Sequence, residues 1–168
     1  QNRISHLNGV IIMSIQKVKE FFKKYGMEER VLEFNSSSAT VELAAQTLGC
    51  NPARIAKTLS FIVNSQPVLI VTAGDAKVDN PKFKAQFNTK AKMIPHDAVE
   101  QMTGHAVGGV CPFAVNQNVN VYLDISLKRF HSVFPACGSS CSAIELTIPE
   151  LEKYSNSMAW IDVCKEWL

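Results

Sequence analysis

Residues 53–63, ARIAKTLSFIV, decide how the rest of this chain is read. Taken two at a time, Ile55, Leu59, Phe61 and Val63 fall on one face, and Arg54, Thr58 and Ser60 on the other. That alternation predicts a half-buried strand. Lys57 breaks the pattern, because it stands on the apolar face, where an aliphatic residue would suit the burial better. An unpaired ammonium is costly to desolvate. Two readings follow: a lysine near the strand's start that snorkels out along its stem, or a charge held in a functional site.

Outward from this strand, residues 64–67 (NSQP) make a hairpin-length loop and 68–73 the return strand, which Gly74 and Asp75 end. Upstream, Ser14 caps a helix in which Ile15, Val18, Phe22 and Tyr25 recur at helical spacing, closed by Gly26. An extended stretch over 31–34 follows. Ser36–Ser38 then precede a second helix with a buried stripe of Val41, Ala44, Ala45 and Leu48, ended by Gly49. Asn51-Pro52 turns the chain into the strand. Downstream, Asn80-Pro81 opens a helix carrying Phe83 and Phe87, 92–94 is a short strand candidate, and 95–102 a helix that Gly104 terminates. Strands are expected over 119–125, 132–136 and 142–148, a short helix over 149–154, and a last strand or helix over 159–164. The sum is a mixed α/β fold, a single domain with a central mixed, largely antiparallel sheet or barrel surrounded by helices.

The chain has 168 residues, enough for one domain with a proper core. A net charge of +2 excludes a protein that coats nucleic acid non-specifically, but permits a local basic patch. No apolar run reaches the length of a membrane span. The odd number of cysteines, Cys50, Cys111, Cys137, Cys141 and Cys164, in a chain too large to need staples reads as reduced thiols in a cytoplasmic protein. Residues 1–12 precede Met13-Ser14, which looks like a natural start; they read as an added or disordered leader, and 13–168 as the domain.

The second unusual stretch is GHAVGGVCPF at 104–113. Adjacent glycines let a backbone approach a ligand closely and turn N–H groups toward an acceptor, and Pro112 stiffens the far side. Alone, Gly108-Gly109 is more often a bulge or turn than a site. No GxxxxGK[ST] phosphate loop, no Gx-Ser-xG elbow and no zinc-binding HExxH occurs, and His131, Cys137 and Cys141 do not match a zinc spacing. A third glycine loop, Cys137-Gly138-Ser139-Ser140, adds backbone donors and hydroxyls after a strand.

Lys57 in its AKTL context, TGHAVGGVCP, and a late strand ending in ACGSS before AIEL occur in an order that resembles the YbaK family. That family includes the editing domain of bacterial prolyl-tRNA synthetase and its free-standing relatives. The resemblance covers about residues 14–164 and implies a trans-editing deacylase, which hydrolyses the ester of an amino acid wrongly attached to a tRNA, typically tRNA(Pro). It implies no cofactor and no metal. The family lysine falls on Lys57, and the GxxxP glycine loop on Gly108, Gly109 and Pro112. Backbone N–H groups around Gly108 and Gly109 would stabilise an oxyanion while Lys57 holds the carbonyl or the phosphate–ribose end. Thr58, Cys111, Gly138 and Ser139 complete the expected substrate contacts, with His105 either relaying a proton or simply following a helix end.

Some relatives carry Ser-Gly-Gly where this chain has Ala136-Cys137-Gly138, and tyrosine where it has His105. The residue removed is therefore open among small ones, alanine, cysteine or serine. Expected partners are the acceptor end of aminoacyl-tRNA and prolyl-tRNA synthetase, with no membrane, the protein being a monomer or weak dimer. Lys77, Lys82, Lys84, Lys90 and Lys92 either line the acceptor-stem side or form a solvated face. Two alternatives remain: a non-catalytic module binding aminoacyl-tRNA or an oligonucleotide, and a Schiff-base enzyme using pyridoxal phosphate. The latter lacks a phosphate cradle beside its lysine.

Overall fold

A computed structural model describes residues 14–35 and 40–168. The expected leader, 1–12, and the serines 36–38 lie outside the described residues. The hairpin is the centre of the fold. β2 (Ile55–Val63) and β3 (Gln66–Ala73) pair antiparallel from Val63 opposite Gln66 to Ala56 opposite Ala73. The turn is tighter than the four residues expected. Only Asn64 and Ser65 lie outside the strands, both at positive φ (51° and 65°), as a type I′ turn requires. Pro67 is inside β3 because it precedes Val68, the first residue to pair with the next strand on the other side.

The other strands are β1 (Val31–Glu33), β4 (Lys77–Val78), β5 (Asn120–Asp124), β6 (Ser132–Pro135), β7 (Ser142–Ile144), β8 (Leu146–Thr147), β9 (Ala159–Ile161) and β10 (Cys164–Lys165). The principal sheet runs β8-β6-β2-β3-β5-β9. Its β2–β6, β3–β5 and β5–β9 pairings are parallel, while β2–β3 and β6–β8 are antiparallel. The fold is the expected mixed α/β one, with more parallel pairing in this sheet than short loops suggested. Two antiparallel pairs, β1–β7 and β4–β10, stand beside it. Val68–Val71 are all buried, as a central strand covered on both faces demands.

Five α-helices are described: α1 over 14–23, α2 (Val41–Leu48), α3 (Asn80–Phe87), α4 (Val99–Thr103) and α5 (Ile148–Ser155). Val18 and Phe22 of α1 are buried, and Phe22 meets Phe113 with ring centroids 4.9 Å apart. Thr40, rather than a serine, caps α2 by accepting from Leu43 N–H, and Gly49 closes it in the left-handed region. α5 carries a full capping box between Thr147 and Glu150.

Three expectations change. The strand over 142–148 is broken at Glu145, with β7 pairing to β1 and β8 to β6. Glu145 turns its carboxylate instead to Arg54 (2.8 Å) and the Ser132 hydroxyl (2.9 Å). The strand at 92–94 shrinks to a bridge between Met93 and Phe61, since the chain turns away after Pro95 into the His96–Ala98 turn. The helix over 95–102 begins as a 3₁₀ turn, His96–Ala98, before α4. No helix among the described residues is long and apolar enough to cross a membrane.

Ser65→Gly should stabilise the hairpin by about 0.5–1 kcal/mol, because glycine adopts the left-handed conformation without the strain a side chain incurs there. Thermal unfolding should show a raised Tm; a lowered one would contradict the turn type.

Candidate active site

The site begins as a gap in the sheet. β6 pairs with β2 only at Ile55 and Ala56. Further along the same edge, Ile94 N–H donates to Ser60 O (3.0 Å) and Ile62 N–H to Lys92 O (2.8 Å). Between these contacts, no strand among the described residues covers that edge at Lys57–Leu59. A cleft of about 400 Å³ opens there. Lys57 and Thr58 line it, with Val99, Val107 and Val110 on one side and Ser139 and Ser142 nearby. α2 supplies Val41, Ala44 and Leu48. These three were expected in the core, yet only Ala45 of that stripe is buried; the others are half-buried because they face the cleft.

Lys57 is half-buried and forms no ion pair within 4 Å among the described residues. Burial lowers its pKa; Cys164, Asp75 and Glu42 work against that shift, and Lys77 with it. The Asp75 carboxylate is itself held by the two terminal guanidinium nitrogens of Arg129, at 2.5 and 2.9 Å. Beside Lys57, the Thr58 Oγ1 atom is buried and has no hydrogen-bond partner among the described residues. A buried hydroxyl is rarely left so, and this one lies in a cleft-lining side chain.

Of the two glycines in the first loop, only Gly108 lines the cleft. It is exposed, at φ +87°, and its N–H has no backbone partner among the described residues. Gly109 is buried, and its N–H donates to Ala106 O (3.0 Å), so it is not free to meet an oxyanion. The close approach that requires glycine at 109 is to the protein itself. A Cβ there would lie 2.3 Å from Gly138 O and 2.6 Å from Ser139 Cα. Gly138, at φ +94°, in turn lies so close to α1 that its Cβ would sit 2.6 Å from Ser14 O.

Ser139 lines the cleft, but its hydroxyl is engaged within its loop, accepting from Cys141 N–H (3.1 Å) and donating to Ser142 Oγ (3.2 Å). Ser142 organises this loop. Its Oγ accepts from the N–H groups of Cys137 (3.1 Å) and Ser139 (3.3 Å) and donates to Ser139 O (3.0 Å). Sequence reasoning missed it, since no motif marks such a hub.

His105, Cys111, Pro112 and Gly138 lie outside the cleft. His105 is fully buried. Its Nε2 faces Phe113 O at 2.6 Å, so the proton sits on Nε2 and Nδ1 accepts from Ser14 Oγ (2.6 Å). The ring braces the glycine loop against α1, as does Lys17, whose ammonium donates to Gly104 O (2.7 Å). Burial lowers the His105 pKa to about 4, opposed by the bond to Phe113 O. Burial likewise pushes the Cys111 thiol up to about 12 and the Cys137 thiol well above its ordinary value. Neither is a nucleophile at neutral pH. Of the positions where this chain differs from some relatives, Ala136 lines the cleft; Cys137 and His105 do not. Among the described residues no three His, Cys, Asp or Glu side chains cluster to hold a metal. His96, which sequence reasoning passed over, does line the cleft.

The aminoacyl-tRNA editing domain model matches residues 35–154, most of the chain. The chain belongs to that family. The match agrees with the resemblance read from Lys57 and the two glycine loops, and it makes the protein an aminoacyl-tRNA deacylase. The chain is similar to the uncharacterized protein YwhH of Bacillus subtilis, 54% identical over 92% of this chain and 99% of that one. It is 28% identical to EbsC of Enterococcus faecalis, over 73% of this chain and 76% of that one. EbsC is described as a candidate Cys-tRNA(Pro)/Cys-tRNA(Cys) deacylase. The crystal structure of a candidate trans-editing enzyme for prolyl-tRNA synthetase superposes with a TM-score of 0.82 at 25% identity, covering 90% of this chain and 97% of that one.

Gly109→Ala should lower Tm and activity together, because the new methyl group forces the two loops apart at a cost of about 1–3 kcal/mol. Gly108→Ala has room, with Ser140 Cβ 4.0 Å away, but a side chain at φ +87° is strained; that strain is smaller than the backbone clash at 109, so Tm should fall less. Equal Tm losses would contradict the loop contact.

His105 gives a pH signature. The unfolded imidazole binds its proton near 6.5 and the folded one only near 4. Between those values the unfolded state holds more protons, so stability falls as pH falls through the window and levels off below it. The loss should be on the order of 3 kcal/mol, measured by denaturant titrations at pH 7 and pH 4. His105→Gln should show a shallower slope; an unchanged slope would remove His105 as its source.

Proposed function

We propose that this chain works in trans on tRNA(Pro) carrying a small wrong amino acid, alanine, cysteine or serine. The observation that carries the reading is the pair Lys57, without an ion pair, and Thr58, its hydroxyl without a hydrogen-bond partner, among the described residues, at the open edge of β2 in a mainly apolar cleft that also receives Gly108. The descriptions of EbsC and of the trans-editing neighbour support the choice of tRNA and of cysteine among the residues removed. Five free thiols fit the reducing cytoplasm, where the substrate is found. Acceptor-end binding beside prolyl-tRNA synthetase belongs to the same reading.

An aminoacyl ester is already activated, so the site needs no covalent nucleophile. It must hold the carbonyl and meet the negative charge that grows on its oxygen. In this reading the Gly108 N–H and the Lys57 ammonium supply that charge stabilisation. The Thr58 hydroxyl gains its missing hydrogen bond from the substrate, and Val41, Ala44 and Leu48 close around the small side chain. One methylene in such a wall is worth about 1–3 kcal/mol, enough to favour alanine over larger residues but not to discriminate sharply.

The test is a deacylation panel with tRNA(Pro) charged with alanine, cysteine, serine, threonine or proline. Free amino acid should be released from the first three and little from the proline ester. Binding without release would instead support a carrier module. Lys57→Ala should lower kcat/KM on the order of 10²-fold with the fold kept and Tm little changed, since a half-buried charge is traded for a methyl group. Lys57→Arg should also be poor, because a planar fork does not replace a compact ammonium. Near wild-type rates in both would return Lys57 to a snorkelling surface role.

A further inference from the structure

We infer that His96 is a catalytic residue of this cleft, taking a proton from the attacking water and returning it to the departing ribose oxygen. The inference rests on the deacylase reading and adds the group that moves the proton.

Two side chains with titratable groups line the cleft among the described residues, Lys57 and His96. No carboxylate and no thiol does so. A protonated lysine donates hydrogen bonds but has no lone pair with which to accept a proton, whereas a neutral imidazole accepts at one nitrogen and donates at the other. Cys111 and His105, the other groups near the glycine loop, are sealed in the core.

The backbone leads from the edge of β2 to His96. The segment before it runs antiparallel to β2, with Met93 bridged to Phe61 and Ile94 N–H bonded to Ser60 O. Each step forward on this segment is one step back on β2, which carries the chain as far as Ile94 toward the gap at Lys57–Leu59. After Pro95 (φ −56°, ψ 142°) the chain leaves β2 and enters the His96–Ala98 turn. That turn puts His96 in the lining of the cleft together with Thr58, whose buried hydroxyl has no hydrogen-bond partner among the described residues. His96 is exposed, so its ring is free to turn toward a bound ester.

In the step, the water oxygen bonds to the ester carbon as its proton passes to His96, giving a tetrahedral oxyanion. Collapse breaks the bond between that carbon and the ribose oxygen, which takes the proton from His96. The products are the free amino acid and tRNA with its terminal hydroxyl restored; His96 ends as it began.

Single-turnover and steady-state deacylation of Ala-, Cys- and Ser-tRNA(Pro) by wild type, His96→Ala and His96→Gln test this. Both variants should lose about 10²-fold in kcat with KM within threefold, the usual weight of a positioned acid–base group. Tm should not change, because the side chain is exposed. Added imidazole should restore part of the His96→Ala rate and leave wild type unaffected, which a purely structural role would not produce. A His96→Gln enzyme with kcat within twofold of wild type overturns the inference, and so does a loss confined to KM or a His96→Ala rate that imidazole does not raise. A wild-type protein that releases no amino acid from any of the esters overturns the deacylase reading itself, and this inference with it.

Discussion

The contact on which the site depends is one of backbone against backbone. The loop of Gly108 and Gly109 and the loop of Cys137 to Ser142 meet so closely that a single methyl group at 109 would lie within 2.3 Å of Gly138 O. α1 presses on this junction from behind, through Ser14 O against Gly138, the Ser14 hydroxyl on His105, and Lys17 on Gly104 O. Buried and neutral, His105 acts as a strut rather than as a reagent. The polar groups behind the cleft are therefore consumed in holding its shape, and Gly108 is the part of the loop left to meet a ligand.

The front of the cleft follows from an interrupted sheet. A strand paired along both edges would leave no backbone or hydroxyl free for a substrate. β2 is paired with β3 from Ala56 to Val63, while among the described residues its other edge is covered only at Ile55–Ala56 and around Phe61. The uncovered residues are Lys57–Leu59, where the charged and hydroxyl side chains stand. A half-buried ammonium without an ion pair and a buried hydroxyl without a partner, as these are among the described residues, both reduce stability in the empty protein. Departures of this kind from the usual rules of packing tend to mark functional sites.

Much of this was legible in the chain itself. The hairpin, the helix caps and the Lys57 anomaly all come from local causes: alternation, turn chemistry and the absence of an N–H on proline. Reading failed where the cause is distant in sequence. The apolar stripe of α2 looks like any core stripe, and only the position of the helix over β2 shows that Val41, Ala44 and Leu48 wall a cleft. Residues 142–148 alternate as one strand, yet Glu145 finds Arg54 and Ser132 and divides them between two pairings. His105 and His96 are equally plain as letters; burial removes the first from the site and exposure keeps the second in it.

The sequence by itself therefore determined the fold class, the family and the lysine around which the site is built, because these depend on periodicity and on ordered local motifs. Tertiary structure alone decided which glycine faces a ligand and which faces the protein, which cysteines are sealed, and which histidine reaches the cleft. Those outcomes depend on how segments far apart in the chain, such as Ser14 and His105 at 91 residues, come to lie against each other. Contact, burial and the direction of an N–H are properties of that arrangement, and no single stretch of chain contains them.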